Sequence, residues 1–179
     1  MADQAGIDEL TEKMAAERAR LLAALAALSE EAAERAPRPG EWNAKQQMSH
    51  LAEMETTYRA WVERALQEDR PDVTSVRGQP VGIPLEEANR HTMAEHLAEL
   101  RRERETTRRL VEALAPEQFD RVATHPLFGT LTVMQWLRSY YRHDRMHIDQ
   151  LAGREPSYRP RFAGGSEPDQ RTPRLGRGP

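Results

Sequence analysis

Cysteine is missing altogether from the 179 residues. Its absence excludes disulfides, thiolate metal sites and a cysteine nucleophile, and it agrees with a reducing compartment. Aromatic residues are sparse, and no apolar run approaches the roughly 20 residues needed to span a bilayer. No membrane partner is expected. Neither sign of charge dominates: 26 Lys and Arg face 29 Asp and Glu, a formal net charge of -3. Such a chain is a poor binder of polyanions, so nucleic acid is not an expected partner. The opening MADQAGIDEL is polar and acidic and lacks the features of a signal peptide, which points to a cytoplasmic protein. No P-loop, GxGxxG or GxSxG pattern occurs, and no catalytic carboxylate pair stands out. Strand signals are few. VTSV at 73–76 and the stretch around Thr124 are too short to build a sheet.

Leu, Ala, Glu and Arg dominate, with charged residues at 31%. That composition favours helices with solvated outer faces, and the length suits one domain with a substantial core. Four helical stretches follow from the periodicity. The first runs from about Ile7 to Leu28, with Leu10, Met14, Leu21 and Leu25 on one face. Pro37, Pro39 and Gly40 then interrupt the pattern. The second runs from Asn43, a plausible N-cap, to about Glu68. The Pro- and Gly-rich stretch 69–83 is a long connection. The third starts near Pro84 and reaches about Leu114; its middle, RRERETTRR, reads as a solvated face because Glu is interleaved with Arg. The fourth runs from about Thr130 to Leu151, with Gly153 as its stop. The expected division is a bundle over 1–153 and a Pro-, Gly- and Arg-rich tail over 154–179, poorly ordered or draped on the surface. A weak echo links ALSEEAAER at 27–35 with ALAPEQFDR at 113–121; each closes a helix and precedes a loop.

Six histidines carry the functional signal. His143 and His147 stand four apart on one face of the fourth helix, in line with Val133, Tyr140 and Leu151. Buried imidazoles need compensation, either a metal or hydrogen bonds from polar neighbours. His50, near the apolar stripe of the second helix, is the candidate third ligand. Three imidazoles match the donor set of a catalytic-type site with an open position, and Zn, Ni, Mn, Fe or Co all suit it. His50 lies about a third of the way into its helix and the other two about two-thirds into theirs. They share a level only if those helices are antiparallel, so one connection must cross the bundle lengthwise. A 25-residue helix is roughly 38 Å long. The stretch 69–83 can reach roughly 50 Å, and the stretch 115–129 about as far. If the first one crosses, Asn89, Thr92, Met93 or His96 would face the site. His91 and His96 read as surface residues or as supports behind a ligand, and His125 as structural or exposed. Glu55 either orients a ligand or pairs with an arginine. For Asp144 an outer ion pair is the default. Arg90 and Arg142 could meet a substrate carboxylate.

Three blocks resemble the DinB/YfiT-like superfamily of metalloproteins: PGEWNAKQQMSHLAEME with Trp42, His50, Leu51 and Glu55; HPLFGTLTVMQWL at 125–137; and HDRMHIDQL at 143–151. The resemblance covers roughly residues 7–152. It implies an all-α, four-helix bundle in up-down-down-up order, with a long crossover between helices two and three. It also implies a divalent metal on His50, His143 and His147, with water completing the sphere, and a homodimer. Relatives that move low-molecular-weight thiols such as bacillithiol imply a metal-dependent thiol S-transferase acting on a small-molecule electrophile. A non-catalytic metal or small-ligand binding protein of the stress response is the alternative.

Overall fold

Asp3, Asn43, Thr92 and Thr132 each accept a hydrogen bond from a backbone N–H of the turn that follows, and so fix where the four long helices begin. The computed structural model describes residues 2–157. In chain order the helices are α1 (Gln4–Ala26), the single turn α2 (Glu30–Ala33), α3 (Ala44–Gln67), α4 (Met93–Glu112) and α5 (Val133–Leu151). Gln46, Glu95 and Gln135 close capping boxes at the starts of α3, α4 and α5.

Two expected boundaries move, for local reasons. The third helix does not start at Pro84: residues Leu85–Arg90 form a 3-10 turn, and the Thr92–Glu95 box then opens α4 at Met93. The fourth does not start at Thr130, because strands β1 (Val122–His125) and β2 (Gly129–Thr132) pair as an antiparallel hairpin. The region around Thr124 is therefore a strand after all. Ala123 and Leu131, both fully buried, anchor the hairpin to the helices, and Thr124 bridges to Asp72. The echo at 27–35 and 113–121 has a structural counterpart, since each segment contains a one-turn helix (α2, and the 3-10 turn Pro116–Asp120).

Contacts at the two ends give the direction of every helix. The Ala2 amide donates to Asp120 and the Val133 amide to the Arg121 carbonyl, so α1 and α5 start at the same end. Arg38, beyond α1, donates to the Gly153 carbonyl just past α5. At that second end Asn43 Nδ2 donates to Asn89 Oδ1 at 2.9 Å, which places the starts of α3 and α4 together. The order is up-down-down-up, with the crossover between α3 and α4. Along the way the crossover is tied to the bundle: the Gly82 amide donates to Glu99 and the Leu85 amide to Glu53. At Gly78 it presses so closely on α3 that a Cβ would fall 2.5 Å from the Thr57 backbone nitrogen, so only glycine fits there without displacing the strap.

The core is divided. One cluster, with Met14, Tyr58, Val62, Trp136 and Leu137, fills the hairpin end. The other, with Leu21, Leu25, Met48, Leu51, Leu97 and Leu100, fills the opposite end. Between them lies a layer of buried charge to which each long helix gives one residue: Arg18, Glu55, Arg104 and Asp144. A cavity of about 550 Å³ opens between α1 and α4, floored by Arg18 and Arg104; none of its lining residues belongs to α3 or α5. No helix among the described residues is long and apolar enough to cross a membrane. Most of the 154–179 tail lies outside the described residues. Residues 154–157 fold back onto α5, where Asp149 accepts from the Ser157 amide at 2.8 Å.

Candidate metal centre

The crossover has a direct consequence for the histidines. With α3 and α5 antiparallel, a residue early in α3 meets residues late in α5. His50 Nε2 lies 3.2 Å from His143 Nε2, which lies 3.1 Å from His147 Nε2. Ligand atoms of all three residues fall within 4.8 Å of one another, and theirs is the one such group of His, Asp and Glu among the described residues. His143 and His147 are buried and His50 is partly exposed, so the trio has one side toward solvent. The Trp42 ring covers His50 at 4.8 Å, and the Tyr58 ring stands 6.0 Å from His143.

The donor set fits a divalent cation. A tetrahedral ion at about 2.0–2.1 Å from each nitrogen needs nitrogens roughly 3.3 Å apart; the two spacings at His143, 3.2 and 3.1 Å, meet this, and the His50–His147 pair, within 4.8 Å, closes to it with a small ring movement. A single proton can serve only one of the two short N···N contacts at His143, so a shared cation satisfies the cluster better than hydrogen bonds among the rings. Burial, assisted by Arg18, pushes His143 down to about 3. It is therefore neutral, the form that ligates, across the physiological range.

That depression carries a sign. Below its unfolded value near 6.5 the unfolded chain binds a proton at this position and the folded chain does not, so stability falls as pH drops. In protein kept metal-free by chelator, denaturation midpoints are expected to fall steadily from pH 6.5 to 4.5. His143→Gln is expected to flatten that part of the profile. An unchanged slope in the variant would contradict the assignment.

Behind the histidines lies the charged layer. Arg18 donates to Asp144 through Nε and Nη2, both at 2.9 Å, and to Glu55 at 2.6 Å. Arg104 donates to Glu55 at 2.8 Å and to Asp144 at 2.9 Å, and Thr107 adds a hydroxyl to Glu55 at 2.9 Å. The remaining guanidinium protons reach the Leu100 and Met14 carbonyls. Two cations and two anions cancel, and nearly every polar atom is engaged. Burial alone raises the Glu55 carboxyl, but Arg104 and Arg18 outweigh it and hold it at about 2. Asp144 and Glu55 in turn lift Arg18 above its ordinary range, against burial. Arg59 extends the network, donating to Glu103 at 2.7 Å and to Thr107 at 3.1 Å.

Of the residues expected from sequence, His50, His143 and His147 come together. Glu55 takes the arginine-pairing role. Asp144 is not an outer ion pair: it is completely buried. The RRERETTRR segment is a solvated face only in part, since Glu103, Arg104 and Thr107 are buried. His96 is buried with Nε2 2.8 Å from the Ala88 carbonyl, His91 sits 3.6 Å from Glu95, and His125 packs its ring on Trp61 and Phe128. Asn89 binds Asn43, Thr92 caps α4 and Met93 packs in the core, so none of these joins the trio. Arg90 faces Glu87 at the surface, and Arg142 lies 5.6 Å from the Tyr141 ring. Arg18, Arg104 and Gln47 were not singled out by sequence. The signal for Arg18 is its place in the apolar stripe, between Met14 and Leu21.

The family model for the DinB superfamily matches residues 13–151, a span that contains all three histidines and all four members of the charged layer. The chain belongs to the DinB superfamily. The protein YuaE of Bacillus subtilis (strain 168), itself uncharacterized, is 26% identical over 140 residues, covering 71% of this chain and 85% of YuaE. Among solved structures, YfiT from Bacillus subtilis superposes with a TM-score of 0.69 at 21% identity, over 85% of this chain and 87% of YfiT. YfiT is described as a probable metal-dependent hydrolase with an unusual four-helix bundle topology. At that identity the likeness is one of fold, and it agrees with the lengthwise crossover that gives this DinB chain its order.

Proposed function

We propose that this DinB-superfamily chain is a divalent-metal-dependent enzyme that transfers a low-molecular-weight thiol to a small electrophile. The observation that carries the reading is the convergence of His50, His143 and His147 from two antiparallel helices, with Nε2 spacings of 3.1 and 3.2 Å. A divalent ion bound there would supply Lewis acidity, lowering the pKa of a thiol or water at its open position.

The chain's own residues narrow the chemistry. The three imidazoles present neutral donors from a largely buried wall, and Trp42 and Tyr58 restrict water around them. Neither carboxylate of the charged layer is available as a general base. Glu55 is held at about 2, and both Glu55 and Asp144 are saturated by arginine. Nucleophile activation at the site would therefore rest with a bound cation held by the three histidines, which favours a nucleophile such as a thiol that ionises readily. With no cysteine in the chain, the thiol must come from a cofactor. Hydrolysis is a second reading, favoured by the description of YfiT. The same proposal includes a homodimer, as the family resemblance implies.

The test is a panel of low-molecular-weight thiols and electrophiles with metal-loaded protein. Conjugate formation is expected, with at least a hundred-fold loss in His147→Ala. Ester or amide cleavage without thiol would favour the second reading. Metal binding with no turnover of either kind would overturn both and leave a binding protein.

A further inference from the structure

We propose that Gln47 is a positioning residue that fixes the tautomer of His147 and thereby aims its Nε2 lone pair at the shared site. The inference rests on the metal reading above, but half of its test does not.

Gln47 sits one turn before His50 on α3 and is buried. Its side chain makes two contacts. Nε2 donates to the Trp42 backbone carbonyl at 3.0 Å, and Oε1 lies 3.0 Å from His147 Nδ1. The first contact settles the amide's orientation, because a carbonyl only accepts and so must face the NH2 end. The oxygen is then left facing His147, and an amide oxygen also only accepts. Nδ1 must therefore carry the proton. In a neutral imidazole that leaves Nε2 with the lone pair, 3.1 Å from His143 Nε2. His147 is 3% exposed, so water does not compete for Nδ1.

The arrangement starts from one residue. Trp42 lies just before the Asn43 cap; its carbonyl orients Gln47 while its ring covers His50. The start of α3 thus governs two of the three candidate ligands, one through a hydrogen bond and one through packing. Neutral glutamine orients the ring without adding an anion to a buried site, where two carboxylates already need two arginines.

Gln47→Leu keeps the volume and removes the acceptor. The Nδ1 proton then loses its partner, and the ring gains by moving the proton to Nε2, which blocks ligation. Gln47→Glu keeps the acceptor toward His147 but loses the donor to the Trp42 carbonyl, so it separates the tautomer from the anchoring of residue 47. Two measurements decide the matter. In metal-free, tag-free protein at neutral pH, nitrogen-15 imidazole shifts of His147 are expected to show the Nδ1–H form in wild type and in Gln47→Glu, and the Nε2–H form or a mixture in Gln47→Leu. In chelator competition with zinc alone, Gln47→Leu is expected to bind about 10- to 100-fold more weakly, and Gln47→Glu at least as tightly as wild type. A merely structural role would lower the melting temperature of both variants without changing the tautomer. If His147 keeps Nδ1–H and zinc affinity stays within two-fold in a folded Gln47→Leu protein, the proposal is wrong. If Gln47→Leu fails to fold, Gln47→Met takes its place under the same criteria. If wild type binds no zinc, the metal reading fails, and the tautomer measurement alone still decides the role of Gln47.

Discussion

Glu55→Ala is expected to cost the fold about 3–5 kcal/mol in chemical denaturation. The reason is the accounting of charge inside the bundle. Glu55 accepts from Arg18, Arg104 and Thr107, and its side chain is almost completely buried. Removing it leaves two buried guanidiniums facing Asp144 alone, at a depth where water cannot replace the lost acceptor. For a chain of this size that loss corresponds to a fall of roughly 10 °C in melting temperature. Glu55→Gln keeps one acceptor oxygen and should fall between wild type and alanine. The gap has a pH dependence. The Glu55 carboxyl is depressed from 4.5 to about 2, so its contribution is complete above pH 4.5 and disappears as pH falls through 2. Wild type and Glu55→Ala should therefore converge at the acid end of the titration. A loss under 1 kcal/mol at neutral pH would mean that the layer is far wetter than the structure shows. Replacing Arg18, Glu55, Arg104 and Asp144 together with apolar residues is a different experiment. It removes the desolvation cost along with the pairing, and is expected to recover most of the stability that the single change loses.

The second large effect is metal-linked. Wild type with zinc at about 100 times its dissociation constant should gain about 2.7 kcal/mol of stability, or roughly 5–10 °C in melting temperature. His143→Ala and His147→Ala should lose this gain entirely. Each variant also loses about 1–3 kcal/mol without metal, because a buried ring is removed and, at His147, the Gln47 oxygen loses its donor, so the gain is read as loaded minus metal-free for each protein. His91→Ala should keep the full gain, since its ring lies near Glu95 at the start of α4 and not with the trio. Equal stabilisation of all four proteins would place metal binding elsewhere.

Much of the arrangement was legible in the sequence because it depends on periodicity. The 3.6-residue repeat locates four helices, and the offset of His50 from His143 and His147 requires a lengthwise crossover. Family resemblance then fixed which connection crosses. What escaped is what periodicity does not encode. Arg18 and Arg104 occupy core positions in their helices, yet an arginine on a charged helix reads as solvated until its partners on three other helices are known. Asp144 was misread for the same reason: its partners lie 126 and 40 residues away in the chain. The hairpin before α5 was missed because four-residue strands have too little pattern to compete with a neighbouring helix, and burial of Ala123 and Leu131 stabilises them only in the folded bundle. Gln47 gave no signal, since its role appears only when the amide meets His147 across the helix pair.

Elemental analysis of tag-free protein, purified without chelator, tests the central claim most directly. The account predicts close to one divalent ion per chain in wild type and in His91→Ala, and a small fraction of that in His50→Ala, His143→Ala and His147→Ala. Metal-free wild type that takes up no zinc, nickel, manganese, iron or cobalt on reconstitution, or histidine variants that bind as much as wild type, would contradict it.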